Sequence, residues 1–324
     1  MISIKSLIGA AALSCLATMA QGQVVGIATN TPGSLNYSVG AALAGVMQQK
    51  ANIPTRAVPL SGQSSYTPMI NRGEIEFGML NGFDAANAYN GTENYKDRKN
   101  PDLRLVGVMF PIQNGIAVPN DSPVKSIKDL KGLRMPSQFT AQRTVQIVQD
   151  AMLASAGLST ADMNGFPIAE MIRGMDALAD GKVDASLSCF ACAKAKEVNV
   201  ALASHGGIRF LSFPDSPEAL AAMRKIFATA RTQVISPSPA FTGILAPTRV
   251  FVYSNFLVSN KHVSDDVVYK AVKAIYENKP MLVQSTVVMK TFDPSFMAEE
   301  NPVPYHPGAE KFYKEIGQWP PKSR

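Results

Sequence analysis

An α/β fold of two lobes with a cleft between them is what this sequence predicts, on three observations. A short β-rich run, a small polar loop and a helical segment recur in that order along the chain, the pattern of a mostly parallel sheet with covered faces. The pattern occurs as two runs, with the chain crossing from one to the other near residues 113–118 and returning near 246–259. Finally, 46% of the 324 residues are apolar and only 17% charged, enough for a sizeable core and unlike a disordered chain.

In the first run, strands are expected at residues 24–29, 55–60, 76–80 and 103–109. Helices follow at 37–50, at about 66–71 and in a segment ending near Gly91. The second run has a loop with one short helix at 122–132, then strands at 133–136, 184–190 and 209–213. Its helices are a long amphipathic one at 139–156 closed by Gly157, one at 169–180 ending at Gly181, and one at about 193–204. A strand at 250–259, a helix at 265–278 and further helical pieces complete the chain and are expected to pack on the first lobe. The expected division is a leader at 1–22, lobe 1 at 23–112 plus 251–324, and lobe 2 at 113–250.

Residues 1–22 have the layout of a cleaved export signal: Lys5, an uncharged apolar run at 7–19, then small residues at Thr18, Ala20 and Gly22. Cleavage after Ala20 and after Gly22 both fit. The run is short of the roughly 20 apolar residues a span requires. A short buried helix is the alternative, but no amphipathic period precedes Gln21. A lipid anchor at Cys15 lacks the usual leucine three places upstream. The mature chain is therefore expected outside the inner membrane, in the periplasm, with no direct membrane insertion and as a monomer.

The formal charge of +6 is spread along the chain rather than gathered on a basic face with interleaved aromatics, which argues against a nucleic-acid partner. A mildly basic balance suits weak attraction of small organic anions. Cys189 and Cys192 form a Cys-x-x-Cys pair; a local structural bridge or two small buried thiols is preferred to a redox motif, which would belong near the first strand of a roughly 100-residue domain. His205, His262 and His306 show no paired spacing for zinc, and none accompanies a loop that reads as a nucleophile site. No Gly-x-Ser-x-Gly elbow, dinucleotide fingerprint or phosphate loop occurs. No enzyme activity, cofactor or metal is expected.

The loops past the strands carry small polar side chains suited to holding a ligand: Ser34, Asn36, Ser61, Gln63, Ser64, Asn81, Ser137, Gln138 and Thr140. Singly, each would serve as a turn former or helix cap; it is the repetition after strand after strand that points to a site. Helix N-termini at such loops offer unpaired N–H groups and a partial positive end to a carboxylate or other anion. Tyr37, Tyr66, Phe83, Phe139 and Phe190 occupy similar positions and either line the cleft or staple helices. Arg143, one turn beyond Phe139, could clamp a carboxylate or lie solvated on its helix.

Three stretches carry a resemblance: TPGSLNYSVGAALA at 31–44, VPLSGQSSYTPMINRGEIEFGMLNGFDAANAYNG at 58–91 and VPYHPGAEKFYKEIG at 303–317. ADGKVDASL at 179–187 and SIKDLKG at 126–132 fit in order. These resemble the solute receptors of tripartite ATP-independent periplasmic (TRAP) transporters, in the TAXI branch. The resemblance implies a type II periplasmic binding fold, capture of a small organic acid such as glutamate or 2-oxoglutarate, and delivery to a TRAP-type membrane permease. Carried over by position, it implies contacts from Ser34, Tyr37, Gly62, Gln63, Asn81, Ser137 to Ala141, and Phe190. The sequence departs from that pattern at Gln63, where serine is usual, and at Gln138 and Phe139, where glycines are usual. With Phe83 and Phe190 as an added apolar wall, a more apolar or aromatic carboxylate is the expected ligand. The alternatives are a receptor of an ABC or tricarboxylate-type importer on the same fold, and a secreted hydrolase.

Overall fold

The computed structural model describes residues 24–322. The leader assigned to 1–22 lies outside the described residues. The first unit is β1 (Val25–Thr29), α1 (Leu35–Lys50), β2 (Thr55–Pro59), α2 (Gln63–Asn71), β3 (Phe77–Asn81) and α3 (Gly82–Asn90). β1 pairs in parallel with β2 and β3, and both β1 and β3 are buried along their whole length, as a strand covered on two faces must be.

Next comes β4 (Leu103–Pro119), which runs on well past the expected end at Met109. It leads into β5 (Arg134–Ser137), α4 (Arg143–Ala154), β6 (Asn164–Pro167), α5 (Met171–Ala179), β7 (Ser186–Cys189), α6 (Ala193–Ala201) and β8 (Ile208–Leu211). The remaining elements are α7 (Pro217–Ile226), β9 (Arg231–Ile235), β10 (Thr248–Asn260), α8 (Asp265–Glu277), α9 (Lys279–Ser285) and α10 (Pro307–Glu315).

The main sheet has the order β2-β1-β3-β10-β4-β7, with β8 also on β4 and β9 on β10; β5 and β6 form a separate parallel pair. The sheet is mixed rather than mostly parallel. β10 runs antiparallel to β3, β4 and β9, and β4 antiparallel to β7 and β8. A run of β–loop–α units indicates parallel neighbours only for strands consecutive in sequence; β4 and β10 are brought together from opposite halves of the chain. Both long strands serve both groups of elements. The Asn255–Asn260 end of β10 pairs with β3 and with the start of β4, whereas the Thr248–Val252 end pairs with β9. The β10–β4 ladder shifts register between Asn255 and Phe256 and again between Leu257 and Val258. Such irregularities bend a strand.

α8 and α9 pack on α1, and α10 packs on α8. His306, Pro307 and Gly308 explain this last docking. His306 Nδ1 accepts from the Gly308 N–H at 3.2 Å as N-cap of α10, its Nε2 donates to the Val263 carbonyl at 3.0 Å, and Pro307 occupies the first helical position. A Cβ on Gly308 would overlap the Asp265 carbonyl and lie 3.0 Å from the Tyr269 nitrogen, so the two helices meet only over a glycine.

Three elements were absent from the expectation. β6 is an exposed Asn-Gly-Phe-Pro segment with no apolar alternation. β9 has only Ile235 buried. α7 does carry a signature, the Ser216 side chain capping the Ala219 N–H and Pro217 at the first turn.

Candidate functional site

Five helices present their first turns to one partly open cavity of about 60 Å3. Ser34, Leu35 and Asn36 come from α1, Gln63 from α2, Asn81 and Asp84 from α3, Gln142 and Thr144 from α4, and Met171 from α5. The floor is the middle of the two long strands, Ile112 and Asn114 of β4 and Tyr253 of β10. A wider depression of about 590 Å3 runs past Val25, Glu76, His262 and Lys270. It lies at the amino end of β1, whereas ligands of open α/β sheets sit beyond the carboxyl ends. The smaller cavity lies at the carboxyl ends of β1 and β3.

Its polar groups form several hydrogen-bonded clusters. Ser34 caps α1 by accepting from the Tyr37 N–H at 3.2 Å, and its hydroxyl donates to the Thr31 carbonyl at 2.7 Å. Asn81 caps α3 by accepting from the Asp84 N–H at 2.8 Å. Asn81 Nδ2 donates both to Gln63 Oε1 at 2.6 Å and to Asp84 Oδ2 at 2.7 Å. Thr144 Oγ1 donates to Asp84 Oδ1, and Asn94 Nδ2 donates to Thr144 Oγ1 at 2.9 Å. Asn36 Oδ1 accepts from Asn255 Nδ2 at 2.6 Å. Asn114 is 3% exposed, and its Oδ1 has no partner.

Among the described residues Asp84 is the one charged side chain in this lining, and it is 2% exposed. Burial pushes its carboxyl up to about 6, against the hydrogen bonds from Thr144, Asn81 and Tyr95 that pull it down. Among the described residues that line the cavity, none is lysine, arginine or histidine.

Further contacts join the walls. Thr31 Oγ1 donates to Glu170 Oε2 at 3.0 Å. A Cβ on Gly62 would overlap the Ala141 carbonyl and come 2.6 Å from Gln142 Cγ. Gln142 Oε1 accepts from the Met171 N–H at 3.0 Å, tying α4 to α5.

Of the residues singled out in the sequence, the cavity brings together Ser34, Asn36, Gln63 and Asn81. Gly62 and Ala141 meet each other at its edge. Tyr37, Ser64 and Ser137 lie close in sequence to lining residues but are not among them. Gln138 and Thr140 are exposed. Arg143 is exposed and outside the lining, the solvated one of its two readings.

The apolar wall expected of the phenylalanines is not at the cavity. Phe83 stacks on Phe227 at 4.5 Å, and Phe190 packs edge-on against Phe210 and Phe241. Phe139 is fully buried, and with Gln138 it adopts positive φ, 40° and 69°. The backbone keeps a left-handed turn suited to glycine although neither residue is one, and α4 consequently starts at Arg143 rather than near Phe139.

The sequence reading missed Asp84, Gln142, Thr144, Asn114 and Tyr253. A signal existed for Asp84, which stands at the third position of a helix capped by Asn81. Nothing local marks Asn114 and Tyr253 in the middle of long strands.

Cys189 and Cys192 form a disulfide with their Cα atoms 5.8 Å apart, at the end of β7 and the cap of α6. This is the structural bridge of the two expected forms, and it lies outside the cavity lining. The histidines also stand apart from the lining: His205 pairs with Asp121, His262 with Asp102, and His306 caps α10.

The model of the NMT1-like family matches residues 27–317. Among solved structures, one described as a periplasmic transporter superimposes with a TM-score of 0.59 at 13% identity, over 91% of this chain and 93% of that one. PhnD1 from Prochlorococcus marinus in complex with methylphosphonate follows with 0.54 at 10%, over 92% and 99%. A putative periplasmic sulfonate-binding protein, SsuA of an ABC transporter from Methylobacillus flagellatus, gives 0.52 at 18%, over 93% and 98%. At these identities the likeness is one of fold: the α/β fold of periplasmic binding proteins.

Proposed function

The chain belongs to the NMT1-like family, and from that premise we propose that it is an extracytoplasmic solute-binding receptor that captures a small organic anion and delivers it to a membrane importer. One observation carries this reading: the convergence of five helix first turns on a single cavity. Each first turn has N–H groups without intrahelical partners and a partial positive end, which together favour an anion without a cationic side chain.

Capture would work by closure. The first group of elements supplies Ser34, Gln63 and Asn81; the second supplies Gln142, Thr144 and Met171; β4 and β10 connect the two. A cavity of about 60 Å3 is small for an organic acid, so the walls must part to admit one and adjust around it on closing, bending the two long strands near the register shifts of β10. A bridging ligand then stabilises the closed state. This keeps the division into residues 23–112 plus 251–324 and 113–250 as the working description of the lobes.

For the importer, the names of the fold relatives, sulfonate- and phosphonate-binding proteins, favour an ABC-type partner and an acid of sulfonate, phosphonate or carboxylate type. A TRAP-type permease is the second reading, supported by the TAXI-like stretches at 31–44, 58–91 and 303–317. Reconstituted uptake separates them: an ABC partner requires ATP hydrolysis, a TRAP partner an ion gradient. The receptor reading, with no catalytic step, is tested by thermal unfolding against a panel of sulfonates, phosphonates and carboxylates. A ligand at about 100 times its Kd adds roughly 2.7 kcal/mol. A panel without any stabilising member overturns it.

A further inference from the structure

Among the groups lining the cavity, Asp84 runs against its purpose as an anion site. Its carboxyl is buried, its Oδ1 and Oδ2 are held by Thr144 and Asn81, and among the described residues no cation stands in the lining to offset it. Its neighbours from the surrounding elements are neutral or acidic. Tyr66 of α2, Tyr95 of the 3-10 turn after α3 and Tyr253 of β10 have their hydroxyls pushed upward, chiefly by their own burial and also by the charge of Asp84. Glu170, at the cap of α5 beside the lining residue Met171, is a second carboxyl outside the lining, held by Thr31 and 4.0 Å from the exposed Arg173 guanidinium. Arg143 at the start of α4 is exposed. The unpartnered Oδ1 of Asn114 in the buried floor is an acceptor, so it offers an anion no hydrogen bond and would meet only a group that carries a hydrogen.

Resting on the receptor reading above, we propose that Asp84 makes capture proton-linked: the cleft closes on an anion together with one proton, held on the Asp84 carboxyl or shared between it and the ligand acid. Two unscreened anions enclosed in one small cavity repel strongly, whereas an acid–carboxylate pair shares a proton. The balance is one ligand anion and one proton from solvent per receptor, with no bond of the ligand broken. The carboxyl of Asp84, already raised to about 6 by burial, lies in the range where that proton is available near neutral pH. The device sorts ligands: one proton removes the anion–anion repulsion for a monoacid, whereas an ion that keeps two charges leaves a second one uncompensated in a lining without a cation among the described residues.

The test is calorimetry of the mature protein with ethanesulfonate, phenylacetate and glutamate at pH 5 and pH 8, each in two buffers of different ionisation enthalpy. Ethanesulfonate stays ionised throughout, so a proton taken up with it belongs to the protein. The expected result is uptake approaching one proton per bound anion at pH 8, and affinity falling about tenfold per pH unit once Asp84 is ionised. Asp84→Asn should bind at pH 8 as tightly as at pH 5. Binding that is independent of pH, or tighter at pH 8 without proton uptake, overturns the proposal alone. Glutamate binding that is tightest at pH 8 and lost in Asp84→Asn also overturns it, since Asp84 would then hold the ligand's ammonium. No binding of any probe at either pH overturns it together with the receptor reading for these classes.

Discussion

Thr144 Oγ1 donates to Oδ1 of Asp84 across the cavity, joining the first turn of α4 to the first turn of α3. The same hydroxyl accepts from Asn94 at 2.9 Å, so one threonine links three elements. Thr144→Val keeps the shape and removes the donor. A hydrogen bond to a charged group contributes about 1.5–3 kcal/mol, and chemical unfolding at pH 7.5 should show a loss of that order. An unchanged midpoint would mean that the two groups do not meet in solution.

Asp84 also sets a pH dependence of stability. Its carboxyl is raised in the folded state, to about 6 from an ordinary value near 3.8. The folded protein therefore holds this proton more tightly than the unfolded chain. The stability it contributes is fully present below about pH 4 and is lost as pH rises through about 6, on the order of 3 kcal/mol in all. Asp84→Asn should flatten that part of the curve. Denaturant midpoints of both proteins between pH 4 and 8 check it, and parallel curves would be the contrary result.

His306 behaves in the opposite sense. Burial holds its imidazole below 6.5, and the neutral ring both caps α10 and donates to Val263. Its contribution is present above about pH 6.5 and lost as pH falls through the lower folded value. His306→Ala should cost about 1–3 kcal/mol at pH 7.5 through the lost cap and the unpaired Val263 carbonyl, with no loss of ligand affinity once folded. A ligand affinity that drops with the cap would place α10 in the binding machinery.

Gly62 faces Ala141 with no room for a methyl group. Gly62→Ala should hold the walls apart, leaving the unfolding midpoint of the ligand-free protein within about 1 kcal/mol while weakening ligand binding about tenfold or more. Small-angle scattering should record a larger radius of gyration for the variant in saturating ligand. Equal radii and equal affinity would show that the approach of Gly62 and Ala141 is not part of closure.

The Cys189–Cys192 bridge closes a very short loop. On the chain-entropy account it contributes about 2 kcal/mol. Replacing both cysteines with serine should cost about that amount and leave ligand affinity unchanged, because the bridge stands outside the cavity lining. A change in affinity would show that it positions the α6 side of the cleft.

The local signals in this chain were strong enough to identify the units. Ser34, Asn81 and Ser264 announce helices by their capping chemistry, and the apolar runs at Val25–Thr29 and Phe77–Asn81 announce buried strands. Four cavity residues, Ser34, Asn36, Gln63 and Asn81, followed from the same reasoning, because a residue at the end of a buried strand and the start of a helix has a defined place in an α/β sheet. Which polar residues face inward was a different matter. Phe190 and Phe83 found aromatic partners brought from residues 210, 227 and 241, and so left the cavity wall. Asp84, Thr144, Asn114 and Tyr253 are joined there across separations of 60 and 139 residues. The sequence by itself determined most of the succession of strands and helices, β6, β9 and α7 apart, and the strand-end loops, since capping, periodicity and burial patterns act within a few residues. Only the tertiary structure decided the mixed order of the sheet and the charge of the cavity, because the pairing of β4 with β10 and the burial of one carboxyl depend on groups that meet only after the chain has folded.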